Sequence, residues 1–315
     1  MNPSRKIKFC ELLLRDGIQG WPTVLSTADK LALANAIDQS GAAEIDLTSF
    51  VPSHIVPQFA DAEDLLAGFQ GTAEIRVLTV NIKGAERVVE AHNNIRKITT
   101  CGMPLSASEK HNIANLRCDH ATHKERLKAI VEVLGSAGIN PMVCVATAWG
   151  CPLDGEIAPD TVLSHVAWLK SVGVNSIMLG DTTGMADPAR VSTLFGLLIK
   201  EWPDTNFIAH FHDNRGCGIA NTLAAIDAGV TAVDGCLGGL GGEPTSVEQG
   251  DVGASGNVVS EDLVSVLNRM GFDTGVNLER FLDVGELTEK VIGRHLFSKI
   301  QRAGLISSAA SADVN

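Results

Sequence analysis

The run Ala209-His210-Phe211-His212-Asp213 sets two imidazoles two residues apart, a spacing that on an extended strand sends both side chains off the same face. Two converging imidazoles joined by a carboxylate suit a divalent cation. Leu14-Arg15-Asp16-Gly17 offers the carboxylate, and Gly256-Asn257-Val258 offers an amide oxygen. Asp16, His210, His212 and Asn257 are therefore the candidate metal ligands. Their oxygen and nitrogen donors fit Mg2+ or Mn2+ better than soft ions. Arg15, beside a ligand and charged at any working pH, is placed to stabilise an enolate or oxyanion. Plainer readings stay open: two hydrogen-bonded histidines on a strand, Asp16 paired with Arg15 or forming a turn, and Arg15 paired with Asp46 or Glu44.

Residues so far apart in the chain need a scaffold that gathers them. Short apolar runs near 7–13, 43–48, 75–80, 95–101, 141–147, 174–180, 206–212 and 230–236 read as strands. They alternate with amphipathic stretches such as Thr27 to Ser40, Lys124 to Ala137, Pro159 to Val172 and Pro188 to Glu201. Ser26 and Asp187 are N-cap candidates, and Pro159 and Pro188 suit first turns. Eight strand–helix units predict an α/β fold of the (β/α)8 TIM-barrel kind. A doubly wound open sheet would carry a glycine fingerprint after its first strand, and none stands there. Glu261 to Ile300 reads as extra C-terminal helices capping the barrel, with no further strand. Residues 1–303 are then a single catalytic domain and 304–315 a flexible tail.

Chemistry in such a barrel gathers at the C-terminal strand ends. Arg15, Asp16 and Gln19 follow the first strand, and Glu44 and Asp46 lie in the second. Asp181 and Thr182 close the sixth, where Asp181 either orients a neighbouring group or caps the turn at Thr182-Thr183-Gly184. The glycine run 238–242 after the eighth is a candidate mobile lid.

Composition narrows the class. A chain of 315 residues with 45% hydrophobic content has the material for a large core, and its net charge of −12 lacks the basic footprint of a nucleic-acid binder. No apolar run approaches the roughly 18 residues of a membrane span, and Met1 to Lys8 is short and basic without the apolar core of a secretory signal. Seven scattered cysteines without a Cys-x-x-Cys pair suggest reduced thiols and a cytoplasmic enzyme. Tyrosine is absent, so no phenol is available as acid or base.

Taken in order, several segments resemble the HMG-CoA lyase family, within the wider group of metal-dependent barrel lyases and Claisen-type synthases. They are Leu14-Arg15-Asp16-Gly17-Ile18-Gln19, Asp46-Leu47-Thr48-Ser49, Ser106-Ala107-Ser108-Glu109, Leu179-Gly180-Asp181-Thr182, His210-Phe211-His212-Asp213 and Gly253-Ala254-Ser255-Gly256-Asn257. The resemblance spans roughly Phe9 to Ala303. It implies a divalent cation held by Asp16, His210, His212 and Asn257, with Arg15, Asp46 and Asp181 as catalytic residues and Gln19 and Thr182 at the substrate. The implied reaction is a retro-aldol or retro-Claisen cleavage of a small-molecule substrate, a 3-hydroxy acid or 3-hydroxyacyl-CoA, in an enzyme that is often a homodimer.

Departures from the family pattern point to another substrate than HMG-CoA. The lyases' loop cysteine is replaced by Glu243, which would serve as the acid toward the enolate if a closed, dry site raised its pKa. Trp21 stands where the lyases have a different sequence after the motif glutamine, and Arg215 follows the histidine motif as an expected second clamp for a substrate carboxylate. HMG-CoA lyase proper, a Claisen-condensing synthase or aldolase of the same group, and a barrel that only binds metal or ligand are the alternatives.

Overall fold

The computed structural model describes residues 5–242 and 256–305. Eight parallel strands close into a barrel: β1 (Lys8–Glu11), β2 (Glu44–Ser49), β3 (Glu74–Leu78), β4 (Thr100–Ser106), β5 (Asn140–Ala146), β6 (Ser176–Asp181), β7 (Asn206–Phe211) and β8 (Ala232–Gly235). Each strand pairs with the next in sequence, and β8 returns to β1 with Asp234 opposite Cys10. Helices follow each strand, and Ser260–Arg269, Leu278–Ile292 and Lys299–Ala303 form the C-terminal additions. This is the expected (β/α)8 barrel with extra terminal helices.

The main apolar core lies between strands and helices, where Phe9 of β1 meets Phe281 edge to face at 6.0 Å. A separate small cluster of Met142, Met178, Ile208 and Ala232 packs together. The predicted caps form: Ser26 Oγ accepts from Asp29 N, and the Asp187 carboxylate accepts from Ala189 N and Arg190 N. Each such cap is worth about 1 kcal/mol. No helix among the described residues is long and apolar enough to cross a membrane.

Three expectations are corrected. The strand predicted at 95–101 is found at Thr100–Ser106, because Ile95 ends the preceding helix and the strand itself runs through Gly102 and Pro104, residues that disguise its periodicity. The first strand stops at Glu11, and a π-helical turn over Leu13–Gly17 takes over. The C-terminal segment does contain a strand: Phe272–Asp273 pairs in parallel with Arg5–Lys6. A two-residue strand leaves no period for sequence reading to detect. Of the expected tail, residues 306–315 lie outside the described residues, as does 243–255, which contains Glu243.

Candidate active site

The π-helical turn after β1 builds the first half of the site. Gly17 N donates to Leu12 O at 3.1 Å, five residues back, and the extra residue in the turn is the kind of irregularity that recurs at functional sites. Buried Glu11 steadies it by accepting from Leu13 N at 3.0 Å and from Leu237 N at 2.9 Å. The second half comes from β7, which carries His210, with His212 just past its end. The segment from Gly256 lies against that end: Asp213 N donates to Gly256 O at 2.9 Å and Val258 N to Phe211 O at 3.2 Å. That pairing delivers Asn257 to the histidines.

The four candidate ligands are thus brought together. Nε2 of His210 and Nε2 of His212 lie 3.2 Å apart, and one ligand atom from each of Asp16, His210 and His212 falls within 4.8 Å of the others. All four residues are buried. Asn257 turns Nδ2 toward Asp16 Oδ2 at 2.5 Å, while its Oδ1 is buried without a hydrogen-bond partner.

Arg15 satisfies two of the readings left open. It donates from Nε to Asp46 Oδ2 and from Nη1 to Asp16 Oδ1, both at 2.6 Å. It still lines a cavity of about 130 Å3 together with Asp16, Gln19, Asp46, His210 and His212. Burial would raise the Asp16 pKa, but Arg15, the two histidines and Asn257 outweigh it and hold the carboxyl at about 2. Asp46 ends above the ordinary carboxylate range, because burial outweighs the pull of Arg15 and Arg76. Gln19 reaches Asp16 Oδ1 at 3.3 Å.

A second buried network lies beneath, and sequence reading missed it. Arg76 of β3 donates from Nη1 to both carboxylate oxygens of Asp234 at 3.0 Å, and from Nη2 to Glu44 at 2.7 Å. Asp234 Oδ2 in turn stands 3.3 Å from His210 Nδ1. The signal was available: charged residues inside barrel strands are costly unless paired, and Arg76 and Asp234 are such residues. Attention to strand ends passed over them.

The remaining candidates separate. Thr182 lines the cavity, its hydroxyl accepting from Thr147 N at 2.9 Å. Asp181 takes the turn-capping reading: one oxygen accepts from Met185 N at 2.8 Å and the other from Ala186 N at 3.0 Å. Arg215 donates from Nη1 to the Thr183 and Gly184 carbonyls and does not line the cavity among the described residues. Trp21 also stays out of that wall, stacked under Arg294 at 5.0 Å. Glu243 lies outside the described residues.

These residues fit a divalent cation. The donor set is two imidazoles and a carboxylate held ionised, and an orphaned amide oxygen lies alongside. Asp16, Asp46 and Asp234, with Glu44 shared between Arg76 and Lys8, face two guanidiniums and leave an excess of negative charge for a cation to balance. Fold and site together define a (β/α)8 barrel enzyme with a divalent-metal centre at the C-terminal end of its strands.

Comparison with known proteins takes the assignment further. Residues 6–288 match the HMGL-like family model. The chain is 35% identical over 301 residues to the mitochondrial hydroxymethylglutaryl-CoA lyase of Mus musculus, covering 95% of this chain and 90% of that one. It is 33% identical over 299 residues to the cytoplasmic 3-hydroxy-3-methylglutaryl-CoA lyase of Rattus norvegicus, covering 94% and 84%. An HMG-CoA lyase from Acinetobacter baumannii, solved with coenzyme A and 3-methylmalate, superposes with a TM-score of 0.89 at 32% identity, covering 98% of this chain and 99% of that one. The chain belongs to the HMGL-like family and is a carbon–carbon lyase that uses a divalent metal.

Proposed function

We propose that this lyase cleaves the C2–C3 bond of a 3-hydroxyacyl-CoA or related 3-hydroxy acid other than HMG-CoA, with Mg2+ or Mn2+ as its cation. The observation that carries the reading is Arg15, bridged to Asp46 and Asp16 on the wall of the cavity that the two histidines also line. When bound, the cation would be held by Asp16, His210, His212 and Asn257 and would polarise the hydroxyl and carbonyl oxygens of the substrate.

The chain's own groups supply the rest. Asp46 Oδ1 is buried without a hydrogen-bond partner and Asp46 lines the cavity, so it is the base for the 3-hydroxyl proton. As that proton leaves, C3 becomes a carbonyl, the C2–C3 bond breaks and its electron pair passes into the enolate of the departing acyl group. Arg15 stabilises that enolate from a dry position where its charge counts fully. Protonation at C2 completes the cleavage, and Glu243 is the proposed acid. Gln19 and Thr182 orient the substrate. The coenzyme A and hydroxy-dicarboxylate held by the Acinetobacter relative support the substrate class. Homodimerisation and cytoplasmic residence belong to the same proposal.

The test is a cleavage assay with Mg2+ or Mn2+, following acetyl-CoA release from HMG-CoA and from other 3-hydroxyacyl thioesters. Cleavage of another thioester well above that of HMG-CoA, abolished by EDTA, supports the reading. Cleavage of HMG-CoA as the best substrate would make the enzyme an HMG-CoA lyase proper.

A further inference from the structure

Two buried carboxylates that the chemistry does not use stand behind the metal centre. Glu11, at the end of β1, is fully buried, and Glu261, in the first turn of the helix Ser260–Arg269, is 2% exposed. Among the described residues neither acid lines the cavity that Asp16, His210 and His212 share. Burial pushes Glu11 up to about 8 and Glu261 up to about 7. A carboxyl group kept where desolvation works against it is held by the hydrogen bonds it makes.

Those bonds converge on one short segment. Glu11 Oε1 accepts from Leu237 N at 2.9 Å. The next amide, Gly238 N, donates to Glu261 Oε2 at 2.9 Å and Oε1 at 3.2 Å. Two acids from different elements thus grip successive amides at the root of the run 237–241. Glu11 also accepts from Leu13 N, where the turn bearing Asp16 begins, and from Ser260 Oγ at 2.6 Å, just past Asn257 in the chain.

Further along, the same run seats Asn257. Leu240 O accepts from Asn257 Nδ2 at 3.1 Å, and that nitrogen also donates to Asp16 Oδ2. The fit leaves no slack: a Cβ on Gly256 would lie 2.3 Å from Gly239 O and 2.8 Å from Gly241 O. A shift of the run at its root is therefore passed on to Asn257 and, through it, to Asp16.

We propose that Glu11 and Glu261 are positioning residues for the metal centre, which fix the run 237–241 by its first two amides and so hold Asn257 at Asp16 in the arrangement the cation needs. The inference rests on the metal ligands assigned above and is independent of which substrate is cleaved.

The experiment is Mn2+ titration calorimetry on the full chain, well below the melting temperature of each variant. Glu11→Met and Glu261→Met, apolar and of similar length, are each expected to weaken Mn2+ binding by roughly tenfold or more, as loss of a group that orients a ligand does. Glu11→Gln and Glu261→Gln keep an oxygen that accepts from the same amide and should stay within about threefold of the wild type. Where a methionine variant does not fold, the aspartate variant, one methylene shorter, takes its place, with an expected loss of about fivefold. Variants that melt at a lower temperature yet bind Mn2+ as the wild type does overturn the inference, because they show a role in stability alone. Glutamine variants as weak as the methionine ones also overturn it, since the loss would not follow the hydrogen bonds. Both results leave the lyase reading intact, which the cleavage assay on the wild type tests separately. A wild type that binds no Mn2+ overturns the ligand set and the inference with it.

Discussion

Asp234 Oδ2 stands 3.3 Å from Nδ1 of His210, and the same carboxylate receives both of its hydrogen bonds to guanidinium from Arg76 Nη1. A carboxylate behind a ligating imidazole fixes the ring's tautomer and orientation and raises its basicity. Asp234→Asn should therefore weaken Mn2+ binding by roughly 10- to 100-fold, the usual effect of losing such a partner. Titration calorimetry measures it directly. An unaltered dissociation constant would assign Asp234 to the Arg76 ion pair alone.

Arg15 has a different readout. Its charge offsets Asp16 and Asp46, and the proposed enolate develops beside it. Arg15→Gln should lower kcat by about 100-fold or more, as loss of an oxyanion donor does, with a smaller change in KM. A variant with near-normal kcat would remove Arg15 from the chemistry.

Gly241 has φ of 103°, and a Cβ there would lie 2.5 Å from Asn257 Nδ2 and 3.1 Å from Asp16 Oδ2. Gly241→Ala forces both strain and displacement of two candidate ligands. A stability loss on the order of 1–3 kcal/mol, the usual cost of a strained conformation, should accompany weakened metal binding. Thermal melts with and without Mn2+ separate the effects: the variant should gain less from the metal than the wild type does.

Because Arg215 Nη1 donates to the Thr183 and Gly184 carbonyls and the side chain does not line the cavity, Arg215→Ala should change KM by less than about threefold, far from the loss of a charge-assisted substrate contact. Steady-state kinetics on a dicarboxylate thioester settles this. A tenfold rise in KM would restore the clamp.

Burial raises the Glu11 pKa to about 8, although Ser260, Leu237 N and Leu13 N all donate to it. The unfolded chain ionises this carboxyl near its ordinary value of 4.5. Between those values the folded state holds the extra proton, so stability falls as pH rises, by up to about 1.4 kcal/mol per pH unit. Glu11→Gln imitates the protonated form and should flatten that decline. Melting temperatures from pH 5 to 9 check it: parallel curves for the two proteins would show that Glu11 does not titrate across the transition.

The spacing of His210 and His212, the Arg15-Asp16 pair and the repeated strand–helix pattern were legible because each follows from a local rule. Strand alternation fixes which side chains share a face, and repeated strand–helix units admit few closed arrangements. Sequence reading therefore named the barrel and the candidate ligands Asp16, His210, His212 and Asn257, which the fold brings together. It also placed Arg215 and Trp21 at the substrate, since nearness in the chain to a ligand was the available guide. Arg215 instead reaches the neighbouring loop after β6, donating to the Thr183 carbonyl, and Trp21 stacks under Arg294.

What the chain determined by itself was periodicity, the strand faces, the caps at Ser26 and Asp187 and the charge types at the strand ends. Only barrel closure decided that Arg76 of β3 meets Asp234 of β8, 158 residues away. That contact depends on how eight strands sit around one axis. No local propensity records that arrangement, because the energy that fixes it comes from charges and side chains that meet only after the sheet has closed.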